Sequence, residues 1–152
     1  MVVWEDHYSI GNAEIDFQHQ HIMALINAVE VAATSGEGSD NMDLVLSHLV
    51  DYLARHFAAE ERLMLSVGYP GLEAHRLEHQ AFSQLVAGLL EGLQPGHVDL
   101  QRAMDLLIGW LHWHVLGSDQ KFAPFVASRP EAVSRWTTAI QDEKDALLSG
   151  VL

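Results

Sequence analysis

Four stretches of this chain carry core-type side chains at successive steps of three or four residues, and that periodicity constrains the fold more than any other feature. The first runs through Ile15, His19, Ile22, Ile26, Val29 and Ala33. The second runs through Met42, Leu46, Leu49, Leu53, His56, Glu60, Leu63 and Val67. The third holds Leu72, His75, His79, Phe82, Val86, Leu89 and Leu93, and the fourth Leu100, Met104, Leu107, Leu111 and His114. Steps of this size build the inward stripe of a bundle helix. Gly- and Pro-rich breaks fall at residues 35–39, 68–71 and 94–96, with others near Gly117 and between Pro124 and Pro130. Such clusters mark turns. The pattern predicts an all-α, up-down-up-down four-helix bundle with helices near 16–35, 41–67, 71–93 and 98–117.

Start signals accompany the first three helices: Asp16, Asp40 and Pro70. Residues 1–14 read as an irregular N-terminal arm anchored by Trp4 and Tyr8. The bundle is expected to fill residues 1–127, leaving 128–152 as a helical extension. Ser128, Pro130 and Glu131 form a start signature there, and Val133, Trp136, Ile140 and Leu147 give one apolar stripe. This extra helix is expected to pack on the bundle. The competing reading is self-association or a protein partner through Trp136 and Ile140.

Composition narrows the chemistry. The 152 residues suit one compact domain, and there is no cysteine. Disulfides, iron–sulfur clusters and Cys-ligated zinc are thereby excluded, so any metal must be held by nitrogen and oxygen. Acidic residues outnumber Lys and Arg by 21 to 8, for a formal net charge of −13. Such a charge repels nucleic acid and anionic lipid. No long uncharged apolar run or secretory leader is recognised, so a cytoplasmic location without membrane attachment is expected. The unusual count is histidine, at ten.

Six stripe positions hold an ionisable residue where a Leu would be expected: His19, His56, Glu60, His75, His79 and His114. Buried imidazoles and carboxylates are costly without partners. His56/Glu60 and His75/His79 are i, i+4 pairs, each on one helix face. Asp119 is a seventh candidate, five residues beyond His114; Gly117 between them would allow a widened or broken turn. Five imidazoles and two carboxylates exceed the need of one ion. Two ions sharing both carboxylates and one solvent-derived oxygen would leave one ion six-coordinate and its neighbour five-coordinate with an open position. Two ferrous ions, two carboxylates and one hydroxide would leave about one positive charge in the core. The ligand types suit iron, manganese, zinc or copper alike.

These residues resemble the hemerythrin family, its bacterial branch most closely. The matching segments are Ile15-Asp16-Phe17-Gln18-His19, His56-Phe57-Ala58-Ala59-Glu60-Glu61, Tyr69-Pro70 with His75 and His79, and Trp110-Leu111 with His114 and Asp119. They span roughly residues 4–120. The resemblance implies two iron ions. His75, His79 and His114 would hold the six-coordinate iron and His19 and His56 the open one, with Glu60 and Asp119 bridging. It implies reversible binding of dioxygen at the open iron, in a pocket lined by Leu111, Trp110 and Ile22. The expected function is an oxygen carrier, store or sensor, not an enzyme. The alternative is a di-iron oxidase, peroxidase or nitric oxide scavenger, which would need an external reductant. Outside the constellation, His7, His21, His48 and His97 are expected to be solvated and His112 to face away. Glu61 should point outward, Trp113 should pack laterally, and Met23, Met42, Met64 and Met104 should fill the core.

Overall fold

The computed structural model describes residues 1–34, 39–91 and 100–150. After a short 3₁₀ turn at Asp6–Tyr8 the helices are α1 (Ala13–Thr34), α2 (Ser39–Ser66), α3 (Leu72–Glu91) and α4 (Leu100–Trp113). A π-helical turn (His114–Asp119) follows, then α5 (Gln120–Ser128) and α6 (Pro130–Leu148). Helix α1 packs on α2 and α4, and α2 packs on α3, α5 and α6.

Two apolar clusters form the core, and the order in which each helix visits them sets the topology. One contains Ile22, Ile26, Leu49, Leu53, Phe57, Phe82, Val86, Leu107 and Leu111. The other contains Ile15, Leu63, Val67, Leu72, Phe122, Val126, Trp136 and Ile140. Helix α1 runs from the second cluster (Ile15) to the first (Ile26), and α2 runs back from Leu49 to Val67. Helix α3 rises again from Leu72 to Val86, and α4 with α5 descends from Leu107 to Val126. The chain is therefore an up-down-up-down bundle, as the periodicity predicts. The ionisable stripe residues occupy the layer between the clusters on every helix. Met23, Met64 and Met104 are buried core members, and Met42 packs against the cluster that contains Met23 and Met104.

Local chemistry moves some boundaries. Helix α1 starts before Asp16 because Asn12 caps it: the backbone N–H groups of Glu14 and Ile15 donate to Asn12 Oδ1 at 3.1 and 3.0 Å. Asp16 instead secures the arm, accepting from the Ser9 hydroxyl at 2.6 Å and the Ile10 N–H at 2.9 Å. Trp4 and Tyr8 do pack on the bundle. Helix α2 ends at Ser66, and Gly68 two residues on has a φ of +64°, which suits a glycine past a helix C-terminus. At Gly71 the Tyr69 ring comes close: a Cβ there would meet it at 2.5 Å, so the ring would have to shift. The side chains of Ala33, Asp40, Leu89, Leu93, His97 and Leu100 lie outside the described residues.

The break expected near Gly117 is absent, since the helix continues there and widens; the one expected between Pro124 and Pro130 falls at Arg129, with Pro124 itself carried inside α5. Helix α6 then lies on α2. Trp136 and Ile140 are buried, and the Trp136 indole N–H donates to the Ala59 carbonyl at 3.0 Å. Those two residues are therefore taken up inside the chain, correcting the reading that offered them to a partner. Leu147 stays 61% exposed. Among the described residues no helix is long and apolar enough to cross a membrane.

Candidate metal centre

Helix α1 supplies His19, α2 supplies His56 and Glu60, and α3 supplies His75 and His79. The π-helical turn supplies His114 and Asp119, and all seven side chains are buried. In an α-helix, residues five apart point about 140° away from each other. The π-helical turn adds a residue to the loop of chain, so His114 and Asp119 come to the same side, with His114 Nε2 3.2 Å from Asp119 Oδ1. A Cβ at Gly117 would meet nothing within 4 Å. The widened turn is present, but close packing does not require glycine in it.

The donors sort into two groups. Glu60 Oε2 lies 3.3 Å from His75 Nε2 and 3.2 Å from His79 Nε2. Asp119 Oδ1 lies 3.2 Å from both His75 and His114. On the other side, Asp119 Oδ2 is 3.4 Å from His19 Nε2, Glu60 Oε1 is 3.8 Å from it, and His56 Nε2 is 3.9 Å from Glu60 Oε2. Three imidazoles thus converge on one side and two on the other, with the Asp119 oxygens divided between them. Glu60 with His75, His79 and His114, and Glu60 with His19 and His56, each form a set whose donor atoms all lie within 4.8 Å of one another.

Two of the outer ring nitrogens face carboxylates: His79 Nδ1 donates to Glu61 Oε1 at 2.9 Å, and His114 Nδ1 stands 3.2 Å from Glu78 Oε2. On the inner side, the Nε2 atoms of His79 and His114 are 3.0 Å apart and each lies 3.2 Å from a carboxylate oxygen, of Glu60 and Asp119 respectively. Both ring nitrogens of His19, His56 Nε2, Glu60 Oε1 and both Asp119 oxygens are buried without a hydrogen-bond partner. Buried polar atoms left this way need an explanation, and a metal supplies one. The cluster suits binding of metal ions.

Without an ion, the carboxylates and histidines settle one another. Burial pushes Glu60 up, but the neighbouring His56 and hydrogen bonds from His75 and His79 hold it well below the usual carboxylate range. Burial and Glu60 push Asp119 up; His114 and the neighbouring His19 and His75 bring it below its ordinary value. Burial disfavours charge on His75, yet Asp119 and Glu60 beside its Nε2 raise it to about 9. His19 is raised against burial by Asp119 and Glu60. Burial wins at His56, lowered to about 3, and at His114, also lowered.

Three residues to which sequence reading gave no such role orient the rings from outside. Gln18 Oε1 meets His56 Nδ1 at 3.0 Å. Glu61 holds His79 and also accepts from the Arg76 guanidinium at 3.1 Å, which corrects the expectation that Glu61 points outward. Glu78 faces His114. Each lies next in sequence to a metal-type residue on its own helix but serves a ring on the following helix. Phe57 also went unread; its ring stacks on His79 with centroids 3.9 Å apart.

Ile22 and Leu111 are fully buried in the apolar cluster beside the site. Trp110 stacks on His114 at 4.6 Å and on Phe82 at 3.9 Å, placing it on the three-histidine side. His112 faces away as expected, with Nδ1 2.9 Å from the Ile108 carbonyl and Nε2 2.8 Å from the Tyr8 hydroxyl. His7, His21 and His48 are exposed. Trp113 is 61% exposed, not laterally packed, and borders a groove of about 540 Å³ with Phe82, Leu85 and Trp110.

The model of the hemerythrin HHE cation binding domain matches residues 11–126, which include all seven buried donors. A bacteriohemerythrin of Stenotrophomonas maltophilia is 35% identical over 135 residues, covering 89% of this chain and 88% of the relative. A bacteriohemerythrin of Pseudomonas aeruginosa is 33% identical, covering 82% of this chain and 81% of the relative. A hemerythrin-like protein of Naegleria gruberi is 31% identical, covering 78% and 88%. With its donors arranged in two groups about shared carboxylates and this match spanning the bundle, the chain belongs to the hemerythrin family.

Proposed function

We propose that the cluster holds two iron ions and that the protein binds dioxygen reversibly, as a cytoplasmic carrier, store or sensor and not as an enzyme. The observation that carries the reading is the division of seven buried donors into a three-histidine and a two-histidine group that share both carboxylates. When bound, the iron pair can lend two electrons to dioxygen and recover them on release. His75, His79 and His114 would hold one ion, and His19 and His56 would hold the other with fewer protein ligands. Glu60 and Asp119 span the two groups. Gln18, Glu61 and Glu78 fix the rings that present His56, His79 and His114. Ile22 and Leu111 exclude water, which limits proton supply and slows irreversible oxidation. The net charge of −13 keeps nucleic acid and anionic membranes away from the molecule.

The test is an optical spectrum of anaerobically reduced, iron-loaded protein, followed through addition of oxygen and then purging. A charge-transfer band that forms, vanishes and returns over several cycles, with no reductant consumed, is expected. Retention of fewer than two irons per chain would overturn the reading. One observation favours a second function, a di-iron oxidase, peroxidase or nitric oxide scavenger fed by an external reductant. The apolar groove at Trp113 reaches Trp110, which stacks on His114. Steady turnover with a reductant, and irreversible oxidation without one, would select it.

A further inference from the structure

The C-terminal helix reaches the metal centre through a chain of polar contacts that starts at a surface lysine. Lys144 of α6 donates from Nζ to Glu14 Oε1 of α1 at 2.6 Å. The same oxygen accepts from Gln18 Nε2 at 2.8 Å. Gln18 is buried, and its other amide atom, Oε1, stands 3.0 Å from His56 Nδ1. These contacts follow the wall of a groove of about 370 Å³ between α1, α2 and α6, which also touches Phe17, Tyr52 and Ile140.

The order of donors and acceptors along this chain is forced. A carboxylate accepts only, so Glu14 turns the NH₂ end of Gln18 toward itself and the carbonyl end toward His56. A carbonyl accepts only, so His56 must carry its proton on Nδ1 and present its lone pair at Nε2, the atom nearest Glu60. With the amide turned around, Gln18 would favour the opposite tautomer, the one that cannot ligate through Nε2. Glu14 thus sets the polarity of Gln18, and Lys144 holds Glu14 in place. Helix α6 is fastened on the other flank of the groove as well, by Arg62 to Glu143 at 2.9 Å. His79 and His114, in contrast, face carboxylates of α2 and α3 directly and need no relay.

We propose that α6 is a remote positioning element for the metal centre: through Lys144, Glu14 and Gln18 it fixes the tautomer and orientation of His56 on the two-histidine side. The inference rests on His56 being a metal ligand, and it makes the carboxyl-terminal extension part of the site. Displacing α6, by a partner or by loss of the Lys144 contact, would loosen the side left with an open position and spare the three-histidine side.

The test uses the full chain with Gln18→Met, Lys144→Met, Lys144→Arg and the double variant Gln18→Met/Lys144→Met. Two quantities are measured: release of the first ion from iron-loaded protein to a ferrous chelator, and the ¹⁵N ring shifts of His56 in protein stripped of metal. Gln18→Met is expected to speed release of the first ion by about 10- to 100-fold, the usual effect of losing a ligand's outer partner. Lys144→Met should give a smaller rise of the same kind, and Lys144→Arg should restore the wild-type rate. The double variant should release no faster than Gln18→Met alone, because both act through one chain. The His56 shifts should report the Nδ1–H form in wild type and a mixture of tautomers in Gln18→Met and Lys144→Met. Additive rates, or a wild-type tautomer in Lys144→Met, would overturn the proposal. If the wild-type protein retains no iron, the functional reading fails, while the ring shifts still decide whether α6 sets His56.

Discussion

Replacing His75 by Gln gives the most direct view of how the centre is balanced when metal is stripped away. His75 is 3% exposed, between Glu60 and Asp119. Its pKa rises from 6.5 in the unfolded chain to about 9 in the fold, because the two carboxylates beside its Nε2 outweigh the burial that disfavours its charge. At about 1.4 kcal/mol per unit, this is on the order of 3 kcal/mol of stabilisation. Because the folded value is the higher one, the contribution is complete below pH 6.5 and disappears as pH climbs from 6.5 through about 9. Glu60 and Asp119 stay ionised throughout that window, so the partner charges do not change. Urea unfolding of chelator-treated wild type and His75→Gln, from pH 6 to 9.5, should show a stability gap of about 3 kcal/mol at the acid end that closes at the alkaline end. A gap that stays constant or widens with pH would refute the charge assignment. Iron-loaded wild type should show the opposite trend and lose stability on acidification, because protons then compete with the ion for the ring.

Three further outcomes follow from particular contacts. Leu111→Ala removes a fully buried side chain beside the site; it should cost about 2–5 kcal/mol in unfolding experiments and, by admitting water, speed autoxidation of the oxygenated protein, so an unchanged oxidation rate would count against its sealing role. Glu61→Gln weakens the carboxylate contact at 2.9 Å to His79 and should lower iron affinity by about tenfold or more in chelator competition. Gly117→Ala, where a new Cβ would meet nothing within 4 Å, should leave iron content intact and give a thermal midpoint at or slightly above wild type.

The bundle and six of the seven donors were legible because both obey one rule: residues facing the axis recur every three or four positions. Asp119 was legible mainly through the family resemblance, since five residues separate it from His114 and the periodic rule fails until the turn widens. The helix through Gly117 reads as broken because glycine is a turn former in isolation, and here the widened turn absorbs it; the break expected between Pro124 and Pro130 does occur, at Arg129. Trp113 was misplaced because a bulky aromatic reads as packed, while its surroundings depend on which neighbour closes the groove.

The outer partners escaped detection for a geometric reason that the assembled bundle makes plain. A residue beside an inward-facing one lies about 100° around the helix, on the flank that meets the neighbouring helix. Going around the bundle in one sense, that flank is reached one residue earlier on an ascending helix and one residue later on a descending one. The partners alternate in that way: Gln18 precedes His19 on α1 and holds His56, Glu61 follows Glu60 on α2 and holds His79, and Glu78 precedes His79 on α3 and faces His114. The same register on the fourth helix falls at Val115, one residue after His114, and Val115 is buried and apolar. Correspondingly, His19 Nδ1 has no hydrogen-bond partner. The ring of outer contacts is thus interrupted at a ligand of the two-histidine group, the side to which the open position is assigned. Packing and the Asp119 carboxylate at its Nε2 orient His19, while its companion His56 depends on the relay from α6.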